Sequence, residues 1–157
     1  MSKISVLLVL TAGLLQMVSA VHAADPPVTA IEFAPNAESV IVASQAGLSQ
    51  LSWPGLALQR KLPTKLANIH DLAFSPGGQQ LAVAGGDPST EGVVELLSWP
   101  GGEAASACRG HADLVMDVSW LDDSRMVSAG LDHEIVLWQV ADQREIRRFR
   151  GHSKGVK

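Results

Sequence analysis

From residue 28 onward, apolar and polar positions alternate with a period of two, and clusters of turn-forming residues interrupt the alternation. Three units overlay. The first opens Val28-Thr29-Ala30-Ile31-Glu32-Phe33-Ala34-Pro35, and the second Ile69-His70-Asp71-Leu72-Ala73-Phe74-Ser75-Pro76. The third opens Met116-Asp117-Val118-Ser119-Trp120-Leu121-Asp122. The aromatics that close these runs are 41 and 46 residues apart, at Phe33, Phe74 and Trp120. Each run predicts a half-buried strand ending in a turn, supplied by Pro35-Asn36, Pro76-Gly77-Gly78 and Asp122-Asp123-Ser124. Second strands are predicted at 40–44, 81–84 and 126–129. They are continuous small and apolar runs, as expected where neighbours cover both faces of a sheet. Third strands fall at 48–53, 93–99 and 134–138, and fourth strands at 57–62, 104–109 and 144–150.

The first two units end their third strand with the same five residues, Leu51-Ser52-Trp53-Pro54-Gly55 and Leu97-Ser98-Trp99-Pro100-Gly101. That identity, 46 residues apart, marks a duplication. Proline stops the strand and glycine turns the chain toward the fourth strand. Residues 63–68 link the first two units. The segment from Gly85 to Gly92, Gly-Gly-Asp-Pro-Ser-Thr-Glu-Gly, reads as a long, polar, flexible loop.

The stretch from Gly110 to Trp138 carries the sharpest pattern. It opens with Gly110-His111, and the next Gly-His, Gly151-His152, follows 41 residues later. Between them lie Met126-Val127-Ser128-Ala129-Gly130-Leu131-Asp132, then Ile135, Leu137 and Trp138. Asp132 falls four residues after Ser128 and Trp138 ten after it. This stretch resembles a WD-repeat β-propeller blade, with Gln139 where the name-giving Asp would stand. The resemblance implies a buried structural tetrad in which the Trp138 indole bonds to Ser128, Ser128 to His111, and His111 to Asp132. The first two units lack it, with Val42 and Val83 in place of Ser128. The implied fold is all-β: a partial β-propeller of three four-stranded antiparallel blades plus the start of a fourth, after a signal peptide. The divisions are 1–23 signal peptide, 24–27 extended lead, 28–68 first blade, 69–109 second blade, 110–150 third blade with the full tetrad, and 151–157 start of a fourth. Rings of this kind hold about seven blades. Three open blades would expose sheet edges and apolar faces, so the expectation is a chain that continues into further blades.

The first residues predict export. Lys3 precedes an apolar run from residue 4 to 18, and Val21-His22-Ala23 places permitted residues before a cleavage after Ala23. Cleavage after Ala20 is the alternative, and the run is short for a membrane span of about 20 residues. A periplasmic or secreted location follows, without a stable membrane anchor. The sequence has 157 residues, a formal net charge of −4 and one cysteine, Cys108, which has no partner within the chain. A net negative chain has no strong attraction for nucleic acid. The basic run Arg144, Arg147, Arg148, Arg150, Lys154 and Lys157 reads as a charged outer edge that blocks strand addition.

His111, Ser128 and Asp132 look like a hydrolase triad. Ser128 lies in mid-strand without a Gly-x-Ser-x-Gly elbow, however, and the tetrad accounts for all three. Asp122, Asp123, Asp132 and Glu134 do not fit a calcium loop, and Cys108 with His111 makes too few ligands for a metal. No catalytic residue, metal or cofactor is assigned. The resemblance implies a non-enzymatic scaffold that binds a protein or peptide on the propeller face. Loops around Ala46-Gly47, 87–91 and 131–133 are candidate contacts by position; the binding residues themselves stay unassigned. The alternative is the propeller portion of a larger exported enzyme whose catalytic part lies beyond residue 157. A third reading places a small ligand in the central channel.

Overall fold

A computed structural model describes residues 26–151. The signal-peptide expectation at 1–23, the first half of the lead at 24–27 and residues 152–157 lie outside the described residues. The described residues form twelve strands: β1 (Val28–Phe33), β2 (Ser39–Ser44), β3 (Gly47–Ser52), β4 (Leu58–Leu62), β5 (Asn68–Phe74), β6 (Gln80–Asp87), β7 (Glu91–Ser98), β8 (Ala104–His111), β9 (Val115–Asp122), β10 (Arg125–Gly130), β11 (Ile135–Gln139) and β12 (Arg144–Phe149). They make three antiparallel four-stranded sheets, β1–β4, β5–β8 and β9–β12, each in sequence order. By sheet membership Asn68 belongs to the second sheet, and so do Gly110 and His111, which end β8.

The registers repeat from sheet to sheet. The first strands bulge at Thr29, His70 and Met116, which pairing skips, and the fourth strands bulge at Gln59, Ala105 and Ile146. Register also separates two kinds of tryptophan. Trp138 lies opposite Met126, as Leu97 lies opposite Leu81 and Leu51 opposite Val40. Trp53 and Trp99 lie two residues later, just past their strands, where the third sheet has Val140. Each packs edge-on against the aromatic that closes its first strand, with centroids 5.1 Å apart for Phe33–Trp53 and 5.0 Å for Phe74–Trp99.

The core lies between the sheets. On β6, Leu81 and Val83 enter a cluster with Ile41, Leu48 and Leu62 of the first sheet, while Ala82 and Ala84 enter one with Val118, Met126 and Trp138 of the third. Successive side chains of a strand point to opposite faces, so a strand covered on both sides must be apolar throughout. Polar contacts lock the same junctions. Arg60 of β4 lies over the Trp99 ring at 5.4 Å and donates to the carbonyls of Gly101 (2.6 Å) and Pro100 (2.5 Å) in the second sheet. The Val118 N–H donates to Asp71 at 2.9 Å, the Trp120 indole to the Ala73 carbonyl at 3.0 Å, and the Gly77 N–H to Asp123 at 2.6 Å.

The flexible loop expected from Gly85 to Gly92 does not form. Gly85, Gly86 and Asp87 continue β6, paired with Val93, Gly92 and Glu91 of β7. Only residues 88–90 turn. The glycines are there for close approach: a Cβ on Gly85 would lie 1.9 Å from the Asn68 carbonyl oxygen, and one on Gly92 2.2 Å from that of Asp113. Gly85→Ala should therefore lower stability by about 1–3 kcal/mol in urea unfolding. Gly55→Ala, whose Cβ meets only the Ser52 hydroxyl at 3.5 Å, should change it by less than about 0.5 kcal/mol. Equal effects would refute the close-approach account.

Candidate functional site

The four tetrad residues come from two sheets. His111 ends β8 at the outer edge of the second sheet, while Ser128 sits in β10, Trp138 in β11, and Asp132 in the turn between them. The Trp138 indole N–H donates to Ser128 Oγ at 2.7 Å, and Ser128 Oγ lies 2.8 Å from His111 Nε2. His111 Nδ1 lies 3.0 and 2.9 Å from the two Asp132 oxygens. Asp132 also accepts the N–H groups of Ala112 (2.9 Å) and Glu134 (3.2 Å). Donors and acceptors assign one direction along this chain. The indole only donates and the carboxylate accepts, so the imidazole carries its proton on Nδ1 and accepts the Ser128 hydroxyl on Nε2.

This is not hydrolytic geometry. The side chains of His111 and Asp132 are 1% and 6% exposed, and Ser128 is 1% exposed. The Ser128 oxygen already accepts from the indole, so the group that would act as nucleophile is buried and engaged. What the set does is tie the edge of one sheet to the middle of the next. Its glycine neighbours are as constrained: a Cβ on Gly130 would stand 2.7 Å from His111 Nδ1.

The other acidic residues are spoken for. Asp122 accepts from Ser124 and Arg125, and the Arg125 guanidinium holds its carboxyl well below the usual range. Asp123 accepts the Gly77 N–H. Glu134 pairs with Arg148 and Arg150, which lower its pKa. Of the basic run, Arg144, Arg147 and Arg148 lie on β12 and Arg150 just past it, while Lys154 and Lys157 lie outside the described residues; Arg148 is also bound to Glu145 at 2.5 Å. Cys108 lies opposite Val94 inside the core, where burial pushes its thiol up to about 12. It does not meet His111.

The three candidate loops are the turns between the second and third strands of their sheets, so they occupy equivalent ends of the three blades. The Ser89 N–H donates to Asp113 at 2.8 Å, joining the turn after β6 to the segment after β8 at that same end. Sequence reasoning passed over a row of carboxylates on the first strands. Glu32 on β1 accepts the Phe74 N–H of β5, and Asp71 on β5 accepts the Val118 N–H of β9, with Asp117 beside it. Burial pushes Asp71 up to about 6, against the lowering by Val118, and Asp117 adds to the rise. The available signal was the acidic residue recurring within otherwise apolar first strands.

Residues 102–139, which include all four tetrad positions, match the family described as WD domain, G-beta repeat. UBP9-binding protein bun62 of Schizosaccharomyces pombe is 32% identical over 78 residues, covering 46% of this chain and 14% of the relative. Protein HIR1 of Chaetomium globosum is 29% identical over 109 residues, covering 59% of this chain and 10% of the relative. Among solved structures, the crystal structure of RRP9 WD40 repeats superposes with a TM-score of 0.74 at 17% identity, over 84% of this chain and 41% of that one. The structure of U3-55K gives 0.73 at 18% identity, over 84% and 42%. At these identities the structural likeness is one of fold. The chain spans 10–14% of the relatives and about two fifths of the solved chains.

Two predictions follow from these contacts. Ser128→Ala leaves a buried indole N–H unmatched and should cost about 1–3 kcal/mol. Adding Trp138→Phe removes that donor, so in a double-mutant cycle the pair should cost less than the sum of the singles; strict additivity would deny the bond. For Asp71, the native state holds the proton more tightly than the unfolded chain does. Its stabilising contribution is complete below the ordinary value of 3.8 and is lost as pH rises through about 6. Asp71→Asn should flatten the melting temperature profile across that window and leave stability at neutral pH equal or higher. An unchanged slope would count against the assignment.

Proposed function

The chain carries a WD repeat and folds as consecutive blades of a WD-repeat β-propeller, and on that premise we propose that it is a non-enzymatic scaffold, exported to the periplasm or secreted, that binds a protein or peptide on one face of the ring. The observation that carries this reading is the state of the Ser/His/Asp set. Its hydroxyl is buried and bound to an indole, so the chemistry-bearing residues of the third blade serve to hold two blades together. A rigid ring with exposed turns is suited to recognition, because loops on a fixed scaffold can vary without disturbing the core. The turns at Ala46-Gly47, 87–91 and 131–133 lie at equivalent ends of the blades and form the proposed contact face. The name of the relative in Schizosaccharomyces pombe describes a binding protein, which agrees with this class of activity.

Among the described residues, two flanks carry exposed apolar side chains. Val28 and Ile31 are each 60% exposed on the first blade, and Leu121 is 57% exposed on the third. Apolar surface of this kind, covered at both inner junctions, is surface that a further blade would cover. The apolar run at 4–18 and Val21-His22-Ala23 support the export part of this reading.

The test joins location to contact. Mature protein from its native source should be recovered from the exported fraction with Ala24 at its N-terminus. A photo-crosslinker at Ser89 or His133 should capture a protein partner, and one at Gly101, at the opposite end of the blade, should not. Recovery from the cytoplasm with Met1 intact would refute export. Equal capture from both ends would refute a face-specific scaffold.

A further inference from the structure

The fourth strands β4, β8 and β12 are the outer edges of their sheets, and each pairs on one side only. Every other residue of such a strand turns its N–H and C=O away from the sheet, toward any chain that could pair with it. Two of these edges carry charge. β4 holds Arg60 and Lys61, and β12 holds Arg144, Glu145, Arg147 and Arg148. β8 differs. Its residues Ala104-Ala105-Ser106-Ala107-Cys108 are uncharged, and Ala104 and Ala105 are exposed. This edge belongs to the middle sheet, so the walls on either side of it are described blades.

A groove runs along each side of β8. Toward the first blade it holds about 580 Å³ and is lined by Pro63, Thr64, Lys65, Glu95, Ala107 and Arg109. Toward the third blade it holds about 470 Å³, and Gln79, Gln80, Ser98, Ser124 and Gln143 line it. Ala105 and Ser106 line both, so the strand stands as a ridge between two grooves. The two differ in chemistry. In the first, Glu95 is already engaged: it accepts the Thr64 hydroxyl at 2.8 Å and the Lys65 N–H at 3.1 Å. The charge left over there is positive. Arg109 meets Glu91 at 2.8 Å with both side chains about half exposed, and the Lys65 ammonium has no ion-pair partner among the described residues. The second groove is walled by amides and hydroxyls, and the Asp123 carboxylate at its margin accepts the Gly77 N–H at 2.6 Å.

We propose that β8 is a docking edge for an extended peptide segment of a partner protein, which adds a fifth strand to the second blade. Successive side chains of an added strand point to opposite faces, so one set enters each groove. Register assigns the two sets. Arg109 and Ala107 lie opposite Val93 and Glu95, on the side of the first blade. Cys108 and Ser106 lie opposite Val94 and Leu96, on the side of the third. The segment is therefore acidic beside Arg109 and Lys65, apolar over Ala107 and Pro63, and amide- or hydroxyl-bearing over Cys108 and Ser106. Backbone pairing supplies the affinity of such a contact, and the alternate side chains supply its specificity. The edge lies on the rim, apart from the turns between second and third strands, so this site goes beyond the turn-face reading.

The probe is a blocked synthetic peptide, Glu-Gln-Val-Gln-Val, whose antiparallel pairing sets its glutamate opposite Arg109. Titrated into the full chain, it should bind saturably at 1:1 and slow hydrogen exchange along residues 104–109. The same peptide N-methylated at every amide should bind at least about tenfold more weakly. Ala105→Lys, which charges the exposed ridge, should also weaken binding about tenfold or more, and Gln59→Lys, at the matching bulge of β4, should not. Lys65→Glu should weaken the peptide, and exchanging the peptide's glutamate for lysine should restore it. Absence of saturable binding up to about 1 mM overturns the proposal, as does binding indifferent to N-methylation or to Ala105→Lys. Protection of the β8 amides in the free chain overturns it too, because the edge is then already covered. A dimer in sedimentation that Ala105→Lys dissociates assigns the edge to a second copy, and the peptide reading falls. Failure at this rim with capture at Ser89 or His133 intact leaves the turn-face scaffold standing.

Discussion

A β-sheet has two faces, and among the described residues only another sheet covers either of them. That constraint decides which residues each blade carries. The middle blade is covered on both sides and is apolar on both sides: Leu81, Ala82, Val83 and Ala84 run without a polar residue, and alternate members enter different clusters. The outer blades are apolar toward the middle one. They also show apolar groups outward, at Ile31 and Phe33 on one side and Leu121 and Phe149 on the other. Each full burial of such a side chain is worth about 1.5–3 kcal/mol.

Burial alone does not fix how two flat faces register, because apolar contact is non-directional. The polar contacts supply the direction. Between the first and second blades the device is Arg60 on a tryptophan turn; between the second and third it is the His111–Ser128–Trp138 chain together with Asp71 and Trp120. Each device spans a junction, and each is satisfied at both ends. The junction between the first two blades has Arg60 on the Trp99 turn, and Val42 and Val83 stand where a serine would be.

Much of this was legible from residue order because period-two patterning and turn residues are local signals. The three units of four strands, the shared Leu-Ser-Trp-Pro-Gly turns and the 111, 128, 132, 138 spacing all lie within short windows. The structure places those last four residues in one run of hydrogen bonds. What stayed hidden depends on neighbours that are distant in sequence. The run at Gly85–Gly92 looks like a loop by composition, yet its glycines exist because the Asn68 and Asp113 carbonyls approach them. Arg60 is one basic residue on a charged edge until the turn 40 residues away is brought beneath it. That His111 ends the strand of one sheet while serving the next could not be read from spacing, which places it equally well at the start of the third unit.

The bulges show why register, more than composition, carries the comparison between blades. Thr29, His70 and Met116 share no chemistry, and neither do Gln59, Ala105 and Ile146, yet each set marks one structural position. An extra residue twists a strand locally and re-aims the side chains that follow. On the fourth strands it aims Arg60 at the second blade, and the same bulge precedes Arg147. A position defined by backbone geometry keeps its direction when its side chains change. Arg147, which shares the register position of Arg60, keeps that direction on the third sheet.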